Sequence, residues 1–168
     1  KGQPWGVEVH LPSDFDFGLT GDRVTKSAAQ WAALGVRDMA GGMVRDHGPA
    51  SILLPAGARG AAFMIFPNFH AIEKYNAADA YVIGVGHLSD RIAGGPPIQA
   101  AWPRDDRALQ LDERVELQQR LIGMGLDTGG ADGRIGPMTV AAVKAFQRSI
   151  GMVADGYASL DILRRLRG

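Results

Sequence analysis

Residues 67–92, PNFHAIEKYNAADAYVIGVGHLSDRI, decide the fold because an aromatic, amide-rich segment runs there into a helical pattern. The front half predicts a turn. The back half predicts a helix because apolar residues recur at steps of three and four, with Asp79 placed to offset the charge of the helix N-terminus. These apolar residues form one face: Tyr81 or Val82, Val85, Leu88 and Ile92.

Tyr75, Asn76 and Tyr81 are candidate ligand-binding residues because they surround the predicted start of this helix. Tyrosine rings and amide groups together suit a sugar, which offers apolar ring faces and hydrogen-bonding hydroxyls. The alternative is that both tyrosines pack in a core and that the amides cap the helix. The pattern alone leaves both interpretations open.

The run PNFHAIEKYNAADAY resembles the Pro-Asn-Phe and Arg-Tyr-Asn-x-Ser-x-x-Tyr segment of the membrane-bound lytic murein transglycosylase B family. Enzymes of that family cut the glycan strands of the bacterial cell wall. Lys74 replaces the usual Arg and Ala78 the usual Ser, so one polar contact of the groove is expected to be missing. The resemblance implies a substrate-binding set at the groove: Asn68, Phe69, Tyr75, Asn76 and Tyr81.

The composition excludes several classes of function. Among the 168 residues, 18 basic side chains balance 18 acidic ones, which argues against nucleic acid or an anionic lipid surface as a partner. The absence of cysteine excludes disulfides and thiolate metal sites, and no apolar run is long enough to span a bilayer. Because residue 1 is Lys and not Met, we expect the chain to be a piece of a longer protein.

Residues 1–66 predict a small β-rich unit with one helix. Polar and apolar residues alternate over 7–11, and two further short strands are predicted at 51–54 and 62–66. Ser27 is a good cap for a helix over 28–34. The spacing of the aspartates within 13–24 does not fit a calcium loop, so no metal site is expected. By the same resemblance, this unit is the β subdomain that flanks the groove.

The last sixty residues predict three helices behind a linker. Gly and Pro residues within 94–109 break any continuing helix. Helices are then predicted from a cap at Asp112, from Gly136 and Pro137, and from Ser159. The pair Gly-Met followed by Ala-Asp-Gly occurs twice, at 123–133 and at 151–156, which indicates a two-fold construction in which Asp-Gly makes a turn.

Residues 114–166 resemble the peptidoglycan-binding type 1 domain, a three-helix module that binds cell wall. The run ADGRIGPMTVAAVKAFQRSIGMVADGYAS carries its Asp-Gly-x-x-Gly-x-x-Thr-x-x-Ala-x-x-x-Phe-Gln motif. Most motif positions are also explained as architecture, through turns and core packing. The candidate peptidoglycan-binding residues are Asp132, Arg134, Thr139, Gln147 and Tyr157.

The chain lacks a credible proton donor for glycan cleavage. A lytic transglycosylase uses one Glu of raised pKa, which the family places in a Glu-Ser-x-Phe-Gly segment, and that segment is absent here. The scattered histidines lack metal-ligand spacing, and no nucleotide or cofactor motif occurs, so we expect no metal, no cofactor and no catalytic residue in this chain.

Together these features predict an α+β protein in three parts. Residues 1–93 are the C-terminal part of a transglycosylase catalytic region, with a small β-rich subdomain and a helical, lysozyme-like remnant. Residues 94–109 are the linker, and 110–168 are the three-helix peptidoglycan-binding domain. The expected parent enzyme cleaves the MurNAc–GlcNAc bond to 1,6-anhydro ends, with glycan strands and stem peptides as partners, in the periplasm or cell envelope. The alternative is a non-catalytic cell-wall-binding or scaffold protein.

Overall fold

Four short antiparallel strands form one sheet: β1 (Gly6–His10), β2 (Arg37–Asp38), β3 (Ser51–Leu53) and β4 (Ala62–Ile65), in the order β2-β1-β4-β3. The computed structural model describes residues 2–168, which divide into two compact units. The first unit comprises residues 2–55 and 60–101, and the second comprises 56–59 and 102–168. Each unit is described separately below.

Strand β4 is buried on both faces, because successive side chains along a strand point to opposite sides. Ala62 and Met64 face one core cluster, which contains Trp31 and Ile52. Phe63 and Ile65 face the other cluster, which contains Trp5, Phe69, Val82 and Ile83. The second cluster therefore fixes the helices that follow β4 against the sheet.

Three helices complete the first unit: α1 (Ala28–Ala33), α2 (Pro67–Glu73) and α3 (Asp79–Ile92). The prediction of a turn at the front of residues 67–92 is wrong, because α2 occupies it. Pro67 is the first helical residue, where its missing N–H leaves no bond unmade. The three predicted strands are present, and their ends lie within one residue of the predicted ends. The two-residue strand β2 was not predicted.

Helix α3 buries only one position of the face that its apolar spacing predicts. Val82, Ile83 and Gly86 lie in the core. Of the predicted face, only Val82 is buried, and the other positions are exposed to solvent, with Leu88 at 61% and Ile92 at 80% of full exposure. The helix is apolar on both sides, a property typical of a helix with partners on both sides.

The second unit contains three helices: α4 (Leu111–Gly123), α5 (Pro137–Ser149) and α6 (Leu160–Arg167). Its core comprises Leu117, Leu121, Val143, Phe146, Ile162 and Leu163, with smaller residues around them. The predicted starts of the second and third helices are confirmed, with Gly136 and Ser159 as N-caps. The predicted cap at Asp112 is wrong, because Gln110 is the N-cap of α4 and its backbone N–H donates to Glu113 Oε2 at 2.8 Å.

The α+β class predicted from the sequence is confirmed by the antiparallel sheet together with the helices. No helix within residues 2–168 is long and apolar enough to cross a membrane.

Candidate functional site

The junction between α2 and α3 presents two tyrosines to solvent. Tyr75 is 86% exposed and Tyr81 is 42% exposed. Between them, Asn76 accepts a hydrogen bond from the backbone N–H of Ala78 through Oδ1 at 3.0 Å. This Asx turn leads the chain into α3 and leaves the Asn76 amide nitrogen available to a ligand. Neither tyrosine packs in a core, so an exposed aromatic edge remains.

The structure separates the other two predicted groove residues from this edge. Phe69 is buried in the second core cluster, where its ring centroid lies 6.3 Å from that of Trp5. Asn68 is exposed, but its Nδ2 donates to the backbone carbonyl of Gln3 at 3.0 Å. Both residues hold the junction in place, and their role toward a ligand stays a prediction.

Asp79, the first residue of α3, was predicted only to balance the helix charge. Its carboxyl group is partly buried, and this burial raises its pKa, with a further rise from the nearby negative charge of Glu73. Glu73 itself pairs with the His70 ring at 2.6 Å. The junction therefore adds an acidic group of raised pKa to the exposed tyrosines and amide.

Each of the four glutamates in the sequence has its carboxylate bound by another group of the protein. Glu8 accepts hydrogen bonds from the backbone N–H groups of Gln99 and Ala100 at 2.8 and 2.7 Å. Glu73 pairs with His70 as described. No local pattern predicts the Glu8 contacts, because their partners lie more than 90 residues along the chain.

The remaining two glutamates form ion pairs in the second unit. A hydrogen bond from the Arg107 guanidinium lowers the pKa of Glu113 to about 2. Hydrogen bonds from Arg167 and then Arg120 lower the pKa of Glu116 to about 2. The lowered pKa keeps both carboxylates ionised, whereas a general acid must be protonated before it reacts.

A buried glutamine in α4 holds the first Asp-Gly turn of the second unit. Gln118 accepts from the backbone N–H of Gly133 at 2.7 Å and donates to the Arg134 carbonyl at 3.0 Å. Asp132 in turn accepts from the Arg134 N–H, and this bond lowers the pKa of the Asp132 carboxyl. The turn is therefore fixed from both sides.

A second glutamine repeats this arrangement at the next Asp-Gly turn. Gln147 accepts from the N–H of Gly156 at 2.8 Å and donates to Asp155 at 2.6 Å. Asp155 accepts from the N–H of Tyr157 at 2.9 Å. The predicted two-fold construction thus has a physical basis, in which Arg134 and Tyr157 occupy equivalent positions after their turns.

The predicted wall-binding residues fall into buried and accessible groups. Thr139 and Gln147 are buried, and Thr139 accepts from Gln118. Arg134 is exposed, and Tyr157 is half-buried, which raises the pKa of its hydroxyl. Gln118 was missed, although its position beside Leu117 on the inward face of α4 marks it as a buried polar residue.

Two family models match the chain. Residues 1–90 match the transglycosylase SLT domain, and residues 110–166 match the putative peptidoglycan binding domain. A curated relative, N-acetylmuramoyl-L-alanine amidase CwlM of Mycobacterium tuberculosis (strain ATCC 25618 / H37Rv), is 40% identical over 55 residues, which are 33% of this chain and 14% of the amidase.

Two solved structures of SltB3 from Pseudomonas aeruginosa are similar to the whole chain. The complex with NAG-anhNAM-pentapeptide is 44% identical with a TM-score of 0.95, and the complex with NAG-NAM-pentapeptide is 45% identical with a TM-score of 0.94. Each comparison covers 99% of this chain and 45% of the SltB3 chain, so this chain spans less than half the length of its relative. Because the transglycosylase model matches more than half of its residues, the chain belongs to the transglycosylase SLT domain family and carries a peptidoglycan-binding domain.

Proposed function

We propose that this chain is the C-terminal portion of a lytic murein transglycosylase, which binds peptidoglycan and cleaves its MurNAc–GlcNAc bond. The two-tyrosine edge at the start of α3 carries this proposal, because exposed aromatic rings beside an amide and a carboxyl group suit a sugar. The SltB3 structures, which are complexes with NAG-anhNAM-pentapeptide and NAG-NAM-pentapeptide, support a peptidoglycan ligand.

The proton donor of the reaction lies, in this proposal, in a segment outside the 168 residues. The donor protonates the glycosidic oxygen as the bond from MurNAc C1 to that oxygen breaks. The C6 hydroxyl of the same MurNAc then bonds to C1 and gives its proton to the carboxylate, which leaves a 1,6-anhydro end. A glutamic acid suited to this step needs burial in an apolar cleft to raise its pKa.

Two observations support a division of the active site between segments. The four glutamates of the sequence are engaged by backbone N–H groups, a histidine or arginines. In addition, the apolar side chains of Val85, Leu88 and Ile92 are exposed on α3, which is typical of a surface that a further segment covers. In this chain, Tyr75, Asn76 and Tyr81 contribute one edge of the groove and orient the glycan.

The second unit anchors the enzyme to the wall. Its accessible candidate is Arg134, whose backbone is fixed by Asp132 and Gln118 while its guanidinium extends to solvent. A guanidinium donates hydrogen bonds to carboxylates and to carbonyl groups, and peptidoglycan stem peptides carry both. This binding places the protein in the cell envelope, where peptidoglycan occurs.

Sedimentation of the chain with purified insoluble peptidoglycan tests the anchor. We expect Arg134→Ala to weaken binding about tenfold, the loss typical of one charged hydrogen bond. The matched control is Arg148→Ala, which changes an exposed arginine in the last turn of α5. Equal binding of both variants and the wild type would show that Arg134 does not contribute to peptidoglycan binding.

A non-catalytic wall-binding protein is the second candidate. It is favoured because every glutamate of the chain forms hydrogen bonds or ion pairs with other groups of the protein. The two candidates differ in the coding sequence that precedes this chain. A helix with Glu-Ser-x-Phe-Gly there supports the enzyme, and its absence from the parent supports the scaffold.

A further inference from the structure

A cavity of about 430 Å³ lies in the first unit at the opposite end of α3 from the two tyrosines. It is bounded by the start of β1, by the second half of α3 and by the segment 95–99. Asp90 at its edge follows Tyr81 by nine residues, about 14 Å along the helix axis. Its volume falls within the range of small-ligand sites. The apolar part of its wall includes Trp5, Val7, Phe63, Pro96, Pro97 and Ile98.

The walls of this cavity are held in place by specific contacts. The indole N–H of Trp5 donates to Asp90 Oδ2 at 2.7 Å, which joins the residue before β1 to α3. Gly86 permits this approach, since a Cβ there would lie 2.5 Å from the Trp5 ring. On the other side, the Glu8 carboxylate accepts from the N–H groups of Gln99 and Ala100 at 2.8 and 2.7 Å. The cavity is therefore preformed, which reduces the cost of binding.

Three polar groups at the cavity have hydrogen-bonding capacity that the protein does not use. Asp90 accepts the indole through Oδ2, which leaves Oδ1 as an acceptor. Among residues 2–168, none forms a hydrogen bond with the side chains of His87 or Gln99. An acceptor, two groups able to donate and an apolar wall thus surround one space.

This set of groups matches the substituent that distinguishes amino sugars of the cell wall from plain hexoses. An acetamido group has an N–H donor, a carbonyl acceptor and a methyl group. The Asp90 carboxylate can accept from the N–H, the Gln99 amide can donate to the carbonyl, and the apolar wall receives the methyl. From this complementarity we infer that the cavity is a second glycan site, which binds one N-acetylhexosamine residue. This inference rests on the proposed function, because it takes peptidoglycan as the ligand.

Titration of the ¹⁵N-labelled chain with N-acetylglucosamine tests the inference through the Trp5 indole resonance. A ligand of this size in an unoptimised site binds with a Kd of about 1 mM, so a saturable shift is expected in that range. Glucosamine and glucose lack the acetyl group, and we expect neither to shift the resonance in the same range. An equal response to glucosamine would show that charge drives binding and would overturn the inference.

Substitution of Gln99, whose side-chain amide forms no hydrogen bond within the described residues, tests whether the sugar binds at this cavity. Gln99→Ala removes an exposed side chain without internal bonds, so the fold is preserved and sugar binding weakens about tenfold. Gln119→Ala, an exposed glutamine of α4, is the matched control and binds the sugar as the wild type does. Wild-type affinity in Gln99→Ala, or no Trp5 response at 10 mM sugar, would contradict the inference.

Sedimentation with peptidoglycan, measured in parallel, distinguishes the two possible failures. A wild-type chain that sediments but shows no Trp5 response rejects the cavity site alone. A chain that fails to sediment rejects the proposed function, on which the cavity inference depends.

Discussion

Gln147, which is 2% exposed, donates a hydrogen bond from Nε2 to Oδ1 of Asp155 at 2.6 Å. Its carbonyl oxygen accepts from the N–H of Gly156, so one buried side chain satisfies both the carboxylate and the backbone of a turn. Gln118 likewise accepts from the N–H of Gly133, and it donates to the carbonyl of Arg134. The three-helix unit is therefore stabilised by two polar clamps as well as by its apolar core.

We expect Gln147→Ala to destabilise the second unit by about 1–3 kcal/mol, because it leaves the Gly156 N–H buried without an acceptor. Chemical denaturation followed by circular dichroism measures the change. Gln119→Ala, on the exposed side of α4, is the control and should change stability by less than ~0.5 kcal/mol. Equal stability of the two variants would mean that the Gln147 clamp contributes nothing.

Two glycines of the second unit should respond oppositely to alanine. Gly133 has a φ of +75°, and a Cβ there would lie 2.5 Å from Leu111 Cδ1, so Gly133→Ala should cost about 1–2 kcal/mol or more. Gly123 ends α4 with open space around it, so Gly123→Ala should be neutral or stabilising by up to ~1 kcal/mol. Thermal melting compares them, and a stable Gly133→Ala would refute the steric argument.

The second unit should lose stability as the pH falls from about 4.5 toward 2. The pKa of Glu116 is lowered from 4.5 to about 2 by Arg167 and Arg120, so its contribution is present above the unfolded pKa and is lost through the folded pKa. Glu116→Gln should flatten this acid dependence. Melting temperatures measured from pH 7 to pH 2 provide the test, and an unchanged slope in the variant would exclude this ion pair as the cause.

Tyr75→Ala and Tyr81→Ala, made in the full-length parent, should each lower turnover of peptidoglycan about tenfold and leave its sedimentation with the wall unchanged. The reason is that both rings are exposed at the junction between α2 and α3 and are remote in sequence from the second unit. Tyr75→Phe, which keeps the ring, is the control and should retain most of the activity. Full turnover in both alanine variants would show that neither tyrosine contributes to glycan cleavage.

The sequence predicted most elements because their signals are local. Pro137 after Gly136 and Ser159 before an apolar repeat each set a helix start by short-range chemistry. The apolar spacing of α3 predicted the helix itself, but the choice of its buried face depends on β4 and Trp5, which lie far away along the chain. The clamp of Gln118 and the contacts of Glu8 likewise join distant segments, so no short pattern could predict them.

The junction between α2 and α3 was partly predictable for the same reason. Tyr75, Asn76 and Tyr81 lie within one short segment, and the Asx turn at Asn76 follows from its local sequence. Phe69 lies close to them in the sequence but points into the core, because the helix that it occupies packs on the sheet.

Mass spectrometry of the soluble products of purified peptidoglycan tests the central claim most directly, with the 168-residue chain and its full-length parent incubated side by side. The account predicts fragments with 1,6-anhydroMurNAc ends from the parent and none from the chain alone, which should nevertheless sediment with the wall. Release of anhydro fragments by the chain alone would contradict the account, because the chain would then contain its own proton donor.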